Sequence, residues 1–187
     1  EINQKLGRNY CIIDKKIMEK LARYDTSIVS RGQQIKDIIS NVRRYLYENK
    51  LPKASIIKGG EGTGKSRFLK GAALRLEQEG MNVFINTLTE ESFYSFSLII
   101  MLMREIIKNI DKGLIDRYLS DISSIMPEVT GSASTPIYDS VLKQEDKVRL
   151  TYRLGNFLME TSVRYPFIIA VRNFDWIDED SLAVLNY

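Results

Sequence analysis

The stretch Ala54-Ser55-Ile56-Ile57-Lys58-Gly59-Gly60-Glu61-Gly62-Thr63-Gly64-Lys65-Ser66 decides the fold. Residues 54–57 form a short β-branched run that stops at a glycine cluster, the pattern of a buried strand. From Lys65 to residue 79, Phe68, Leu69, Ala72, Ala73 and Leu76 recur at helical spacing, and Gly80 is placed to end that helix. Strand, glycine turn and helix in succession predict the opening unit of an α/β fold.

Outward from this unit the same alternation continues. Ile35, Ile38, Ile39, Val42, Tyr45 and Leu46 give residues 33–49 the apolar stripe of an amphipathic helix, which Leu51-Pro52 ends. Residues 81–87 read as a second strand. Residues 92–110 read as one long apolar helix and 114–126 as a shorter one. Two prolines, a glycine and several Ser and Thr make 127–140 a loop. Leu150, Leu154, Phe157 and Leu158 stripe a helix over 144–164, and Tyr165-Pro166 breaks it. Residues 167–171, Phe-Ile-Ile-Ala-Val, predict a third strand buried on both faces. A last helix opens at Asp178 as N-cap, with Glu179 and Asp180 in its first turn. The expectation is one α/β domain with a parallel sheet over 28–187, preceded by an extension or linker over 1–27 with a short helix near 15–24.

Composition limits the chemistry. The chain has 187 residues, 44% apolar and 27% charged, with a formal net charge of +3. Residues 1–50 carry 11 basic against 6 acidic residues, too scattered for a nucleic-acid surface. There is no His, which excludes His-based acid–base catalysis and His-ligated metals. The single Cys, Cys11, excludes an internal disulfide and a Cys-based zinc or iron–sulfur site. The longest apolar stretch, 93–103, contains two Ser and is too short for a bilayer. No signal peptide opens the chain and no initiator Met is present, so an excised, cytoplasmic piece is expected.

Gly59 to Ser66 fits G-x-x-x-x-G-K-[ST], the phosphate-binding loop. Glycines let consecutive backbone N–H groups surround a phosphate at a helix N-terminus whose dipole favours anions. Lys65 supplies a mobile charge for the β- and γ-phosphates, and the Ser66 hydroxyl is a ligand for Mg²⁺. Gly59, Gly60, Glu61, Gly62, Thr63, Gly64, Lys65, Ser66 and Arg67 are therefore the candidate nucleotide-binding set. Such a site needs an acid at the end of another strand, yet residues 167–171 are followed by Arg172 and Asn173. Arg172 suits phosphate and Asn173 a water; Asp175 is the candidate displaced acid, with Glu90 and Glu91 as further stand-ins. Capping accounts for Asp178–Asp180, helix-terminal charge for Glu90 and Glu91, and packing for Trp176. No guanine-reading Asn/Thr-Lys-x-Asp pattern is present.

On these residues the chain resembles the AAA-type/STAND ATPase modules of soluble class III adenylyl cyclases, maltose-regulator-like activators and bacterial multidomain kinases and cyclases. Val29, Arg31 and Ile35 match the Val-Gly-Arg-Glu-x-Glu-Ile-like stretch of those modules. Val171-Arg172-Asn173-Phe174-Asp175-Trp176-Ile177-Asp178-Glu179-Asp180-Ser181-Leu182 follows the register of their Asp-Asp strand, and Met126-Pro127-Glu128 their Pro-Glu segment. The resemblance implies a P-loop NTPase fold of three layers, ATP and Mg²⁺ as cofactors, and the Val29–Ile35 stretch, Arg31 included, near the adenine. It also implies a sheet incomplete after the third strand, with exposed apolar edges and self-association.

The departure falls on the two acids, now Arg172 and Asn173, so the expected function is an ATP–Mg²⁺-binding regulatory module of a larger signalling protein with weak or absent hydrolysis. Its expected partners are nucleotide and other domains or proteins, with no direct nucleic acid and no membrane. An active ATPase using Asp175, a small-molecule kinase, and an interaction scaffold with a vestigial loop remain the alternatives.

Overall fold

The computed structural model describes residues 32–48, 54–131 and 143–187. The short helix near 15–24, the Val29–Arg31 part of the opening stretch, the burial of Tyr45 and Leu46, and most of the 127–140 loop lie outside the described residues. The structure is mixed α/β, mostly helical, with a small two-stranded parallel sheet. The chain divides into two compact units, 1–83 and 84–187.

In the first unit, helix α1 (Gly32–Glu48) and helix α2 (Lys65–Gln78) pack together. Ile35 and Ile39 of α1 are buried, as are Phe68, Ala72, Ala73 and Leu76 of α2, one apolar stripe from each helix. Arg43 of α1 donates through Nε to Glu79 Oε2 at 3.0 Å, and its second nitrogen lies 2.9 Å from Oε1. Helix α2 ends as Gly80 predicts. Gly80, at φ 83°, donates to Glu77 O at 2.9 Å and Met81 N to Leu76 O at 3.1 Å, the pair of bonds that closes a left-handed helix cap.

Residues 54–57 depart from expectation. They form no ladder, and Ile56 is 77% exposed rather than buried. A strand is stabilised by a hydrogen-bonded neighbour, and the two strands of the described sheet pair with each other instead.

Strand β1 (Asn82–Thr87) leads into the second unit and pairs with strand β2 (Phe167–Arg172). Between them lie helices α3 (Ser97–Ile106), α4 (Lys112–Ile125) and α5 (Gln144–Arg164); α6 (Glu179–Asn186) follows. Their buried faces form one core, including Ile99, Met103, Ile122, Leu150, Leu154, Phe157 and Val184, against which Phe84, Phe167 and Ile169 pack. Phe84 and Phe167 meet edge to face across the strands at 5.7 Å. Strand β2 is half-buried along most of its length, with only Ala170 fully buried, so the expected burial on both faces does not hold.

The long helix expected over 92–110 is interrupted. Residues Glu90–Ser92 form a 3-10 turn, closed by reciprocal bonds between Thr89 and Ser92, and α3 starts only at Ser97. Phe96 sits at φ 60°, which a non-glycine residue adopts only when its surroundings impose it. What imposes it is Asp178. Its carboxylate accepts from Phe96 N at 2.8 Å, Ser97 N at 3.1 Å and Ser97 Oγ at 2.8 Å, and also from Ser181 N at 2.8 Å. One buried carboxylate thus starts two helices, α3 and α6, each with N–H groups its own first turn cannot satisfy.

Candidate functional site

The glycine-rich loop precedes α2 directly. Gly62 and Gly64 have φ 73° and 81°, a left-handed region open to glycine at no steric penalty. Gly64 is the N-cap of α2, and no side chain caps the first turn. The leading amides of a helix have no acceptor within it, and no acidic residue lies in this first turn to neutralise the positive end. Lys65, Ser66 and Arg67 open the helix, Ser66 half-buried and Arg67 exposed.

The loop folds onto itself. Lys65 Nζ donates to the carbonyls of Gly59 and Gly60, both at 2.7 Å, and Thr63 Oγ1 donates to Gly60 O at 2.8 Å. A Cβ on Gly59 would stand 2.8 Å from Thr63 Oγ1, so the closure depends on glycine there. The sequence pattern therefore corresponds to a formed loop with its ammonium held at the glycine carbonyls. Glu61 is exposed at its tip.

An open cleft of about 590 Å³ adjoins this loop within the first unit. Its walls are Gln34, Asp37 and Ile38 of α1, residues 55–59, Thr63 and Phe68. Gln34 falls in the Val29–Ile35 stretch expected near the adenine, whereas sequence reasoning missed Asp37 and Ile38, which join it only once the helix is laid against residues 55–59. Alternation at three and four residues was the available signal. Arg31, expected beside an adenine, lies outside the described residues.

The expected second half of the site belongs to the second unit. Arg172 ends β2, accepts Leu88 N at 3.1 Å through its carbonyl, and has a buried Nε with no hydrogen-bond partner among the described residues. Asn173, at φ 54°, donates through Nδ2 to Leu88 O at 3.1 Å, which ties its side-chain nitrogen to the end of β1. Asp175 is exposed in the 3-10 turn Phe174–Trp176. Trp176 is 40% exposed, so it is only partly a packing residue. Glu90 and Glu91 are exposed in a separate 3-10 turn and not in the first turn of α3, which holds no acid, whereas Asp178 is an N-cap as expected. Asp180 pairs with Lys147 Nζ at 2.9 Å and accepts from Ser95 Oγ at 2.6 Å, a structural commitment.

Among the described residues, no group of three or more His, Cys, Asp and Glu could hold a metal ion, and no helix is long and apolar enough to cross a membrane. Ser66, the expected Mg²⁺ ligand, lies half-buried in the first turn of α2 beside the loop. A lone hydroxyl suits an ion that keeps several waters and takes its other ligands from phosphate oxygens. In comparisons with protein-family models, with curated proteins and with solved structures, nothing matches this chain.

Proposed function

We propose that residues 59–67 bind the polyphosphate of ATP and that the chain is a nucleotide-binding regulatory module of a signalling protein, with slow or absent hydrolysis. The observation that carries this reading is the start of α2. Uncapped amides, a first turn without acids and the Lys65 ammonium converge on the glycine-rich loop. On binding, Lys65 would exchange the two glycine carbonyls for phosphate oxygens, a stronger charge-assisted pairing. Mg²⁺, held by Ser66 and the phosphates, would neutralise charge on the β- and γ-oxygens. The cleft has a volume suited to a small ligand and walls both apolar (Ile38, Phe68) and polar (Gln34, Asp37), which suits a base and ribose.

Slow hydrolysis follows from Arg172 and Asn173 standing where the resembled modules carry acids. Nucleotide occupancy then acts as a switch, the γ-phosphate ordering the loop around it. Isothermal titration of ATP with Mg²⁺ into the folded protein tests this. Saturable binding is expected, weakened about tenfold or more in Lys65→Ala, a loss of roughly 1.4 kcal/mol. Absence of binding to folded protein overturns the reading and leaves an interaction scaffold.

A further inference from the structure

Helix α5 buries one side in the core and leaves an apolar ridge on the other. Val148, Tyr152, Met159 and Val163 are 63%, 56%, 56% and 83% exposed, although each is a residue type that normally packs. They follow one another at helical spacing, with Gly155 filling the turn between Tyr152 and Met159. Tyr187 lies across this turn: its ring meets Tyr152 edge to face at 5.0 Å and occupies the space a Cβ on Gly155 would need. We infer that this ridge is the interface between two copies of the chain, paired antiparallel through α5.

The ridge is symmetric about its middle, which suits a second copy of itself. Val148 stands as far before the Gly155–Asn156 peptide as Val163 stands after it, and Tyr152 as far before as Met159 after. A two-fold axis through that peptide sets valine against valine and tyrosine against methionine, the self-complementarity an isologous interface requires. It also brings Tyr152 and Tyr187 of both copies to the centre, where aromatic residues contribute most to binding.

Charge agrees with the same pairing. At about 100° per residue, Arg149 and Glu160 flank the ridge on the same side. In the antiparallel pair each Arg149 comes within about two residues, or about 3 Å along the axis, of Glu160 of the second copy. Glu160 is already fixed by Arg117 and Tyr118, whose bonds to it measure 2.6 and 2.7 Å, so little side-chain freedom is lost. A helix of 21 residues is about 31 Å long. The few side chains of this ridge with Tyr187 fall well short of the about 20–30 residues a side of a standard interface, so the dimer is weak and concentration-dependent.

Sedimentation velocity over a concentration series, on the whole chain, tests this. A reversible monomer–dimer equilibrium is expected, and Val163→Lys should raise its dissociation constant at least about tenfold with an unchanged far-ultraviolet spectrum. Because Val163 is so exposed, folding is not at stake in that variant. Orientation is read with Cys11→Ser proteins carrying Val148→Cys or Val163→Cys and a short bis-maleimide. Mixing the two should give covalent dimers that neither gives alone. A monomer at every concentration, a dimer indifferent to Val163→Lys, or either cysteine variant cross-linking to itself as well as to the other would overturn the inference.

Discussion

Gly64 shows how one dihedral governs the candidate site. Its φ of 81° places it outside the region where a Cβ is tolerated, although open space surrounds the position. Gly64→Ala should therefore destabilise through the backbone alone, by roughly 1–2 kcal/mol, while Gly113→Ala should not. Gly113 lies in the first turn of α4, also in open space but without a positive φ, so the same substitution there should stabilise by about 0.4–1 kcal/mol. Urea unfolding of both variants reads the opposite signs, and equal signs would refute the assignment to φ. Asp178 is the other decisive residue. Asp178→Ala strands the amides of Phe96, Ser97 and Ser181 and should lower stability by about 3 kcal/mol or more. Asp178→Asn should cost less. Its one oxygen can serve Phe96 N and Ser181 N, which share Oδ1, while its NH₂ group faces the Ser97 amide, a donor against a donor.

At the scale of elements, a titrating contact joins α3 to the turn after α4. Arg104 donates to Glu128 Oε1 through Nε at 3.1 Å and through a second nitrogen at 2.8 Å. The Glu128 carboxyl lies below its ordinary 4.5, first because its own backbone amide bonds to it, then because of Arg104. A carboxylate with a depressed folded pKa stabilises the protein above its unfolded pKa, and that stability is lost as pH falls through the folded value. Glu128→Gln should lower the melting temperature slightly at pH 7 and not at all in acid well below 4.5. A difference independent of pH would show packing, not charge, at work. Elements with local punctuation were legible in the chain. Helix α5 begins and ends where its stripe and Tyr165-Pro166 place it, and α2 stops at Gly80. The break before Ser97 was not legible, because the carboxylate that imposes it comes from Asp178, on a distant stretch of chain. The candidate site divides the same way: the glycine loop is a contiguous pattern, whereas the α1 wall of its cleft exists only through tertiary packing.

For the molecule as a whole, burial among the described residues is unevenly shared between the two compact units. The second holds a continuous core in which Phe96, Leu102, Leu150, Leu154 and Phe157 are wholly inaccessible. Among the described residues of the first, the buried apolar set is shorter, Ile35, Ile39, Phe68, Ala72, Ala73 and Leu76, and Ile56 and the glycine loop are exposed. Protection of a backbone amide follows the apolar contacts that must break to open it. Amides of α1 should therefore exchange faster than those of α5, by native-state hydrogen exchange at neutral pH. Phe157→Ala gives the sharper test. It removes a fully buried ring that stacks edge to face on Tyr118 at 5.5 Å, and should cost about 3–5 kcal/mol. If the core of the second unit is the more stable one, this variant should raise exchange across α3, α4 and α5 together, toward the level of α1. Exchange in α1 as slow as in α5 in the unmodified protein would show that buried apolar area does not set the order of opening here.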